Sequence, residues 1–270
     1  MAQQNLINLV QDTLAKGSVL SMATATPVVE LLKFTEISGN AYRYNVIDTL
    51  LPTNHRELGE DVDASEMQTI TDTVDLKILT NSSKVDRALG VMQNITDIQA
   101  ESQGLAMVSS GYALEGFVLN RLGEYLETNK AGVKFTGALN TDLLMDARES
   151  VLGLNEDNGA IFCNAKTQRL MQKVAQTEMP GYVSDITQFG KKCKAFDNLP
   201  IVVSEQVKDG EIFFVKFAED GVHGVTNGGL KVYNYDRGVH LITDTELLYN
   251  VVAKVKKSFA KIEFTATKSK

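Results

Sequence analysis

Between residues 41 and 79 the chain carries two β-patterned runs, and what joins them cannot form a core. In the first run Tyr42, Tyr44 and Val46 alternate with Arg43 and Asn45. In the second, Ile70, Val74, Leu76 and Ile78 share one face and alternate with Thr69, Thr71, Thr73, Asp75 and Lys77, with Asp72 breaking the apolar phase. Period-two alternation of this kind marks strands with one buried face. The connection, 50–67, contains Pro52, Gly59 and the acids Glu57, Glu60, Asp61, Asp63 and Glu66. Hairpin loops usually take only about 2–5 residues. A connection this long and polar is either disordered or lies on a surface other than its own.

The strongest single element follows. Thr96-Asp97-Ile98-Gln99 reads as a capping box, and apolar residues then recur at Ile98, Leu105, Val108, Tyr112, Leu119, Leu122 and Leu126. This spacing predicts a helix from Asp97 to about Glu127, roughly 45 Å long. Gly104, Gly111, Gly116 and Gly123 lie within it. Each costs about 1 kcal/mol against alanine, so they either admit a close neighbour or are tolerated by packing.

The remaining chain alternates shorter elements. Leu6, Ile7, Val10 and Leu14 predict an amphipathic N-terminal helix stopped by Gly17 and Ser18, either a surface helix or a partner-contacting arm. Asn140-Thr141-Asp142 is placed to cap a helix bearing Leu143, Leu144, Ala147 and Val151, ended by Gly153. An apolar strand at 160–163 precedes a helix starting at Asn164 with Leu170, Met171 and Val174, which ends near Pro180-Gly181. Further strands are expected at 199–204, 212–217, 230–235, 239–243 and 247–264. In the last, Val251, Ala253 and Val255 hold one phase while Ala260, Ile262 and Phe264 hold the other. The switch near Lys257-Ser258 predicts a bulge or a passage between sheets.

No constellation of catalytic residues stands out. His55, His223 and His240 are far apart and none has a metal-ligand spacing to another His or Cys. Cys163, in an Ile-Phe-Cys context, reads as a buried, inert thiol, and with only Cys193 beside it in the sequence no disulfide framework is expected. The acids of 57–66 do not follow a calcium-loop spacing. Gly221, Gly224, Gly228 and Gly229 read as turn residues, not a phosphate loop. Net charge is −7, which argues against a basic surface that grips nucleic acid. There is no signal-peptide pattern and no run of about 18–20 apolar residues, so a soluble, cytoplasmically made protein is expected, with no membrane partner.

Taken in order, these segments resemble the major capsid proteins of tailed bacteriophages, the Hong Kong 97 capsid fold family. The 41–79 segment resembles that family's extended loop and the Asp97–Glu127 helix its spine helix. Asn140-Thr-Asp-Leu-Leu-Met-Asp-Ala-Arg-Glu-Ser-Val-Leu-Gly153 resembles the helix opening its axial domain. Gly181-Tyr-Val-Ser-Asp-Ile-Thr-Gln-Phe-Gly190 with Leu199-Pro-Ile-Val-Val203 resembles that domain's middle, and the run containing Lys257-Ser-Phe-Ala260 its last strands. The resemblance implies an α+β fold with an N-terminal arm (1–40), an extended β-hairpin loop (41–84), a peripheral domain with the spine helix (85–138 and 230–256) and an axial α/β domain (139–229 and 257–270).

It further implies a non-enzymatic chain without cofactor or metal. Such a chain assembles in the host cytoplasm as hexamers and pentamers into the icosahedral shell of a virion. It encloses double-stranded DNA without sequence-specific binding and meets portal, scaffolding and decoration proteins. The acidic loop (Glu57, Glu60, Asp61, Asp63) would meet basic residues of a neighbour, with Lys84, Arg87, Arg121 and Arg237 as candidates. The family's type member cross-links a loop lysine to an asparagine of the neighbouring peripheral domain. Here no lysine occurs between Lys33 and Lys77, and the asparagine's counterpart in Asp236-Arg237-Gly238-Val239 is Gly238, so no such cross-link is expected. The short N-terminal arm departs from family members with a large cleaved scaffolding segment, implying a separate scaffolding protein or a processed chain. The alternative is an encapsulin, a nanocompartment shell of the same fold; a hydrolase using Cys163 and His223 is a third, distant reading.

Overall fold

The predicted N-terminal helix falls mostly on residues outside those described, with Leu6 helical at its edge. In the computed structural model, which describes residues 4–6, 13–47, 55, 57–58, 69–92, 98–178, 181–188 and 191–264, the chain opens on strand β1 (Gln4–Asn5). Leu6 is fully buried; Ile7 and Val10 lie outside the described residues. Helix α1 (Thr13–Ala25) runs through Gly17 and Ser18 without stopping. Its packing outweighs the local cost. Val19 and Met22 are buried, worth roughly 1.5–3 kcal/mol each against about 1 kcal/mol for a helical glycine. The Ser18 hydroxyl also accepts a hydrogen bond from Gln103 at 2.8 Å. The helix ends before Thr26-Pro27, where proline disfavours helical geometry in the preceding residue. A single turn, α2 (Val28–Leu31), then leads to β2 (Lys33–Glu36).

The two period-two runs form a hairpin. Strand β3 (Ala41–Ile47) pairs antiparallel with β4 (Thr69–Asp75), Tyr44 facing Asp72. The Leu76 N–H closes its base by donating to the Asn40 carbonyl at 2.8 Å. The second run does not continue in one sheet, as the alternation suggested. Beyond Leu76 it becomes β5 (Lys77–Asp86), which pairs instead with β13 (His240–Ala253). The buried phase changes at the same point: Val74 and Leu76 are buried, then Ser83 and Val85, so Ile78 is left 59% exposed.

Strand β5 leads to the short α3 (Arg87–Met92) and then to the long helix α4 (Ile98–Glu127). Thr96 lies outside the described residues. At about 1.5 Å per residue α4 spans roughly 45 Å. It packs on α1, β5 and β13, and its buried face follows the apolar spacing only in its C-terminal half. Leu119 and Leu122 are buried as the spacing marks, but Leu105 and Tyr112 are 68% and 50% exposed, while Met107, Leu114, Val118 and Tyr125 are buried together with Gln103, Ser110 and Glu115. Each polar residue in that face has a partner. Gln103 donates to Ser18, Asn81 donates to Ser110 at 3.3 Å, and the Thr26 hydroxyl donates to the Glu115 carboxylate. Of the glycines, Gly116 is a close approach: a Cβ there would sit 3.3 Å from the Gln206 side chain. Gly104 and Gly123 have open space around them.

A seven-stranded sheet, order β6-β14-β11-β7-β10-β9-β8, forms the other half of the molecule. Its strands are β6 (Val133–Gly137), β7 (Gly159–Cys163), β8 (Val183–Gln188), β9 (Lys191–Phe196), β10 (Leu199–Val203), β11 (Glu211–Lys216) and β14 (Phe259–Phe264). Helix α5 (Thr141–Ser150) is capped as expected, Asn140 Oδ1 accepting from the Leu143 N–H at 2.9 Å. Helix α6 (Ala165–Glu178) is capped by Asn164, which accepts from the Thr167 N–H at 2.7 Å. Strand β7 is buried on both faces: Ala160 and Phe162 join the core beneath α4, while Ile161 and Cys163 join the core beneath α5 and α6. Both cores thus meet at this sheet.

The five-stranded sheet, order β1-β2-β12-β13-β5, holds the rest. Strand β12 (Val222–Arg237) starts well before 230, and Gly224, expected in a turn, lies inside it. A Cβ at Gly224 would meet the Phe34 ring at 2.5 Å, so the ring lies in space that any other residue at 224 would fill. Gly228 and Gly229, both with positive φ, mark a bulge between Thr226 and Leu230. The phase switch near Lys257-Ser258 is the crossing expected: β13 ends in one sheet at Ala253 and β14 begins in the other at Phe259.

Candidate assembly surfaces

The described strands of the β3–β4 hairpin pack on the body along most of their length, Val46 near the far end included, and a polar cluster sits midway along them. Tyr44 and Val46 from β3 and Val74 from β4 are buried with Ile37, Leu76, Val225 and Val252 of the same chain. The base therefore has a local partner, contrary to an arm that finds burial only on a neighbour. Asp72, the residue out of phase, explains itself here. Its carboxylate accepts from Lys130 Nζ at 2.7 Å and from the Tyr44 hydroxyl at 3.3 Å. The Tyr44 hydroxyl lies 3.1 Å from the Tyr125 hydroxyl, which donates to the Val251 carbonyl at 2.9 Å. The Arg121 guanidinium covers the Tyr125 ring at 4.7 Å. Burial pushes the Tyr44 and Tyr125 hydroxyls above the usual phenol range, so both stay protonated donors. Burial would raise the Asp72 carboxyl too, but the Lys130 ammonium outweighs it and holds the group below the ordinary carboxylate value.

The four candidate basic residues do not form one patch. Lys84 on β5 lies opposite Ile242, Arg237 lies opposite His240, and Arg87 joins Asp236 in an exposed ion pair at 2.7 Å. These three gather at one end of the five-stranded sheet, around the turn at Gly238. Arg121 belongs to the arm base, paired with Glu124 at 2.6 Å. From Val251, where Tyr125 is anchored, to Ile242 is about 30 Å along β13 at some 3.3 Å per residue. Glu57 is exposed; Glu60, Asp61, Asp63 and Glu66 lie outside the described residues. Sequence reasoning missed Lys130, Tyr125 and Asp72 as a cluster. The one signal available was Asp72 itself, a charge in an otherwise apolar strand phase.

Cys163 and His223 sit in different sheets and are both fully buried. Burial pushes the Cys163 thiol up to about 12. The ring nitrogens of His223 meet no well-formed hydrogen bond. Burial, seconded by the Lys254 ammonium and opposed weakly by the Gly221 backbone, pulls its imidazole down to about 4. Among the described residues no cluster of His, Cys, Asp and Glu is arranged to hold a metal ion, and no helix is long and apolar enough to cross a membrane.

No protein-family model and no curated protein matches the chain. Solved structures do. A virus-like particle from Pyrococcus furiosus is similar with a TM-score of 0.63 at 12% identity, over 92% of this chain and 96% of that one. The holo-SrpI encapsulin complex from Synechococcus elongatus reaches 0.64 at 13%, over 91% and 92%. The capsid of Cyanophage P-SCSP1u reaches 0.60 at 10%, over 88% and 87%. The chain has the Hong Kong 97 capsid fold, in the α+β class. That fold forms shells and is shared by phage capsid proteins and encapsulins.

Proposed function

We propose that the chain is a major capsid protein of a tailed bacteriophage. It assembles in the host cytoplasm through hexamers and pentamers into the icosahedral shell of a virion around double-stranded DNA. It is a structural protein and not an enzyme. The observation that carries this reading is the likeness of nearly the whole fold to the cyanophage capsid, over 88% of this chain, together with the acid-rich 48–68 arm that joins β3 to β4. Such an arm gains burial on a neighbouring copy, and a closed shell repeats one contact by symmetry. Lys84, Arg87 and Arg237 are the proposed receivers of a neighbour's Glu57, Glu60, Asp61 and Asp63, while Arg121 serves its own arm base. Exposed pairs contribute about 0–1 kcal/mol each, so repetition matters more than any one pair. Portal, scaffolding and decoration proteins are the expected partners of such a shell, and no membrane is.

The encapsulin reading is favoured by the 0.64 TM-score to the Synechococcus elongatus complex and the 92% coverage of that chain. Electron microscopy of the expressed protein tests the shell, and the contents of particles from the native host separate the two readings. Closed particles holding nuclease-protected DNA are expected; a protein cargo without DNA would make the shell a nanocompartment. A monomer near 29.6 kDa with no particles would end both.

Neither reactant of the family's chain-mail cross-link is present: the arm has no lysine between Lys33 and Lys77, and Gly238 lacks an amide side chain. Mature particles boiled in denaturing detergent are therefore expected to run as one band near 29.6 kDa. A ladder of covalent pentamers and hexamers would refute it.

A further inference from the structure

Two Asn-Gly pairs occur in the chain, Asn158-Gly159 and Asn227-Gly228. Such a pair is chemically labile. Glycine has no Cβ to shield its backbone nitrogen from the preceding asparagine amide, and its backbone turns freely enough to bring the two together. The fold treats the two pairs differently. At the first, Asn158 Oδ1 accepts from the Asn155 N–H at 3.0 Å and its Nδ2 donates to the Gly153 carbonyl at 3.2 Å. The Gly159 N–H, which must give up its proton to attack, donates to the Asn155 carbonyl at 2.9 Å, and Gly159 is buried at the start of β7. Amide and nucleophile are thus both held. At the second, the β12 bulge leaves Asn227, Gly228 and Gly229 without partners in the register of β13 or β2. Gly228 is exposed, with a φ of 78°. The Lys231 ammonium nitrogen would lie 3.8 Å from a Cβ placed at Gly228. A cation so close favours the negative charge that develops on the amide nitrogen and on the carbonyl oxygen it attacks. The one side-chain hydrogen bond of Asn227 runs from Nδ2 to the Gly39 carbonyl, at 2.9 Å.

We propose that Asn227 is a site of spontaneous deamidation through Gly228, and that the conversion weakens the tie between the β12 bulge and the 37–40 segment that leads into β3. The Gly228 nitrogen attacks Asn227 Cγ and forms the N–Cγ bond of a succinimide ring. The Cγ–Nδ2 bond breaks, and ammonia leaves with the proton that Gly228 gave up. Water then opens the ring at either carbonyl, giving aspartate or isoaspartate; nothing is oxidised or reduced. Either product replaces the donating amide with a carboxylate, which only accepts hydrogen bonds and so cannot bind the Gly39 carbonyl. Isoaspartate also lengthens the backbone inside the bulge by its own Cβ. The 37–40 segment keeps two other ties: the Ile37 N–H donates to the Thr226 carbonyl at 2.9 Å, and the Asn40 carbonyl accepts from the Leu76 N–H at 2.8 Å. Deamidation therefore loosens the segment without releasing it.

The test holds the full chain folded in mildly alkaline buffer and, in parallel, unfolded in urea. Mass analysis of the two asparagine-bearing peptides follows the change from amide to acid over time. In the folded protein Asn227 is expected to convert about tenfold or more faster than Asn158, because Asn158 reacts only from locally opened molecules. In urea the two rates should draw together. The same rate ratio folded and unfolded, an Asn158 that leads, or an Asn227 that stays intact would each overturn the site. Lys231→Gln should slow conversion at Asn227, and an unchanged rate would remove the ammonium from the argument. The weakened tie is read by backbone hydrogen exchange in Asn227→Asp. Residues 37–40 and β3 are expected to exchange severalfold faster than in the parent chain, with β7 unchanged. Unchanged exchange there would overturn the second half of the proposal. If Asn227→Asp does not fold, the same comparison between fresh and aged parent protein decides the point. No readout requires assembly, so the outcome is independent of the shell reading.

Discussion

A chain lacking 50–67 is expected to fold and yet to form no native-sized shell. The deletion leaves Asp48, Thr49 and Gln68 between β3 and β4, a three-residue connection of the length that closes ordinary hairpins. None of the described core is removed, because Tyr44, Val46, Val74 and Leu76 keep their contacts with Ile37, Val225 and Val252. The protomer's unfolding free energy should therefore change by no more than about 1 kcal/mol, as for substitutions away from packed sites. What is lost is the acidic reach of the arm toward neighbouring copies. Circular dichroism and urea unfolding check the first half, sizing and electron microscopy the second. Native-sized particles from the deletion variant would take 50–67 out of assembly.

His223 should give the unassembled protein a pronounced sensitivity to mild acid. Its imidazole is held near 4 in the folded chain against 6.5 for an unhindered histidine. Above about pH 6.5 both states are neutral and the residue contributes no pH dependence. Between about 6.5 and 4 the unfolded chain takes up a proton that the folded chain refuses, so stability falls as pH falls. At 1.36 kcal/mol per unit, the full loss is about 3 kcal/mol, complete near pH 4. Asp72 and Glu263, whose carboxyls lie below their usual values, act in a lower window. Their stabilisation is present at neutral pH and fades as pH falls through their ordinary values, 4.5 for Glu263 and 3.8 for Asp72. Urea unfolding from pH 7 to about 5.5 therefore reports mainly on the histidine. In His223→Gln the slope over this range should largely vanish. Equal slopes in the two proteins would show that another group sets the acid limit.

Much of this fold is written in local signals. Asn140 and Asn164 cap the helices their sequence context announces, and the uninterrupted apolar run at 159–163 is a strand covered on both faces. The change of phase around Lys257-Ser258 marks the passage between sheets. Other elements leave weak traces. The β8–β9 hairpin is built of residues such as Ser184, Asp185 and Lys194, with little apolar alternation. Its neighbouring β9–β10 turn uses Asp197 and Asn198 at positive φ, a hairpin signal sequence reading passed over. The first half of the α4 face was misread, at Leu105 and Tyr112, because apolar spacing assumes one partner, whereas this helix packs on α1, β5 and β13.

By itself the sequence determined most helices and several core strands in their order, since caps, turn residues and period-two alternation act over a few neighbouring positions. That order resembles the Hong Kong 97 capsid fold, which the chain has. Only the tertiary structure decided which groups separated along the chain come together. It brought Asp72 to Lys130 and Tyr44 to Tyr125, and it moved Arg121 away from Lys84, Arg87 and Arg237. Those pairings depend on sheet register and on the angle of a 30-residue helix across a sheet, and such long-range geometry follows from burying all the surfaces at once.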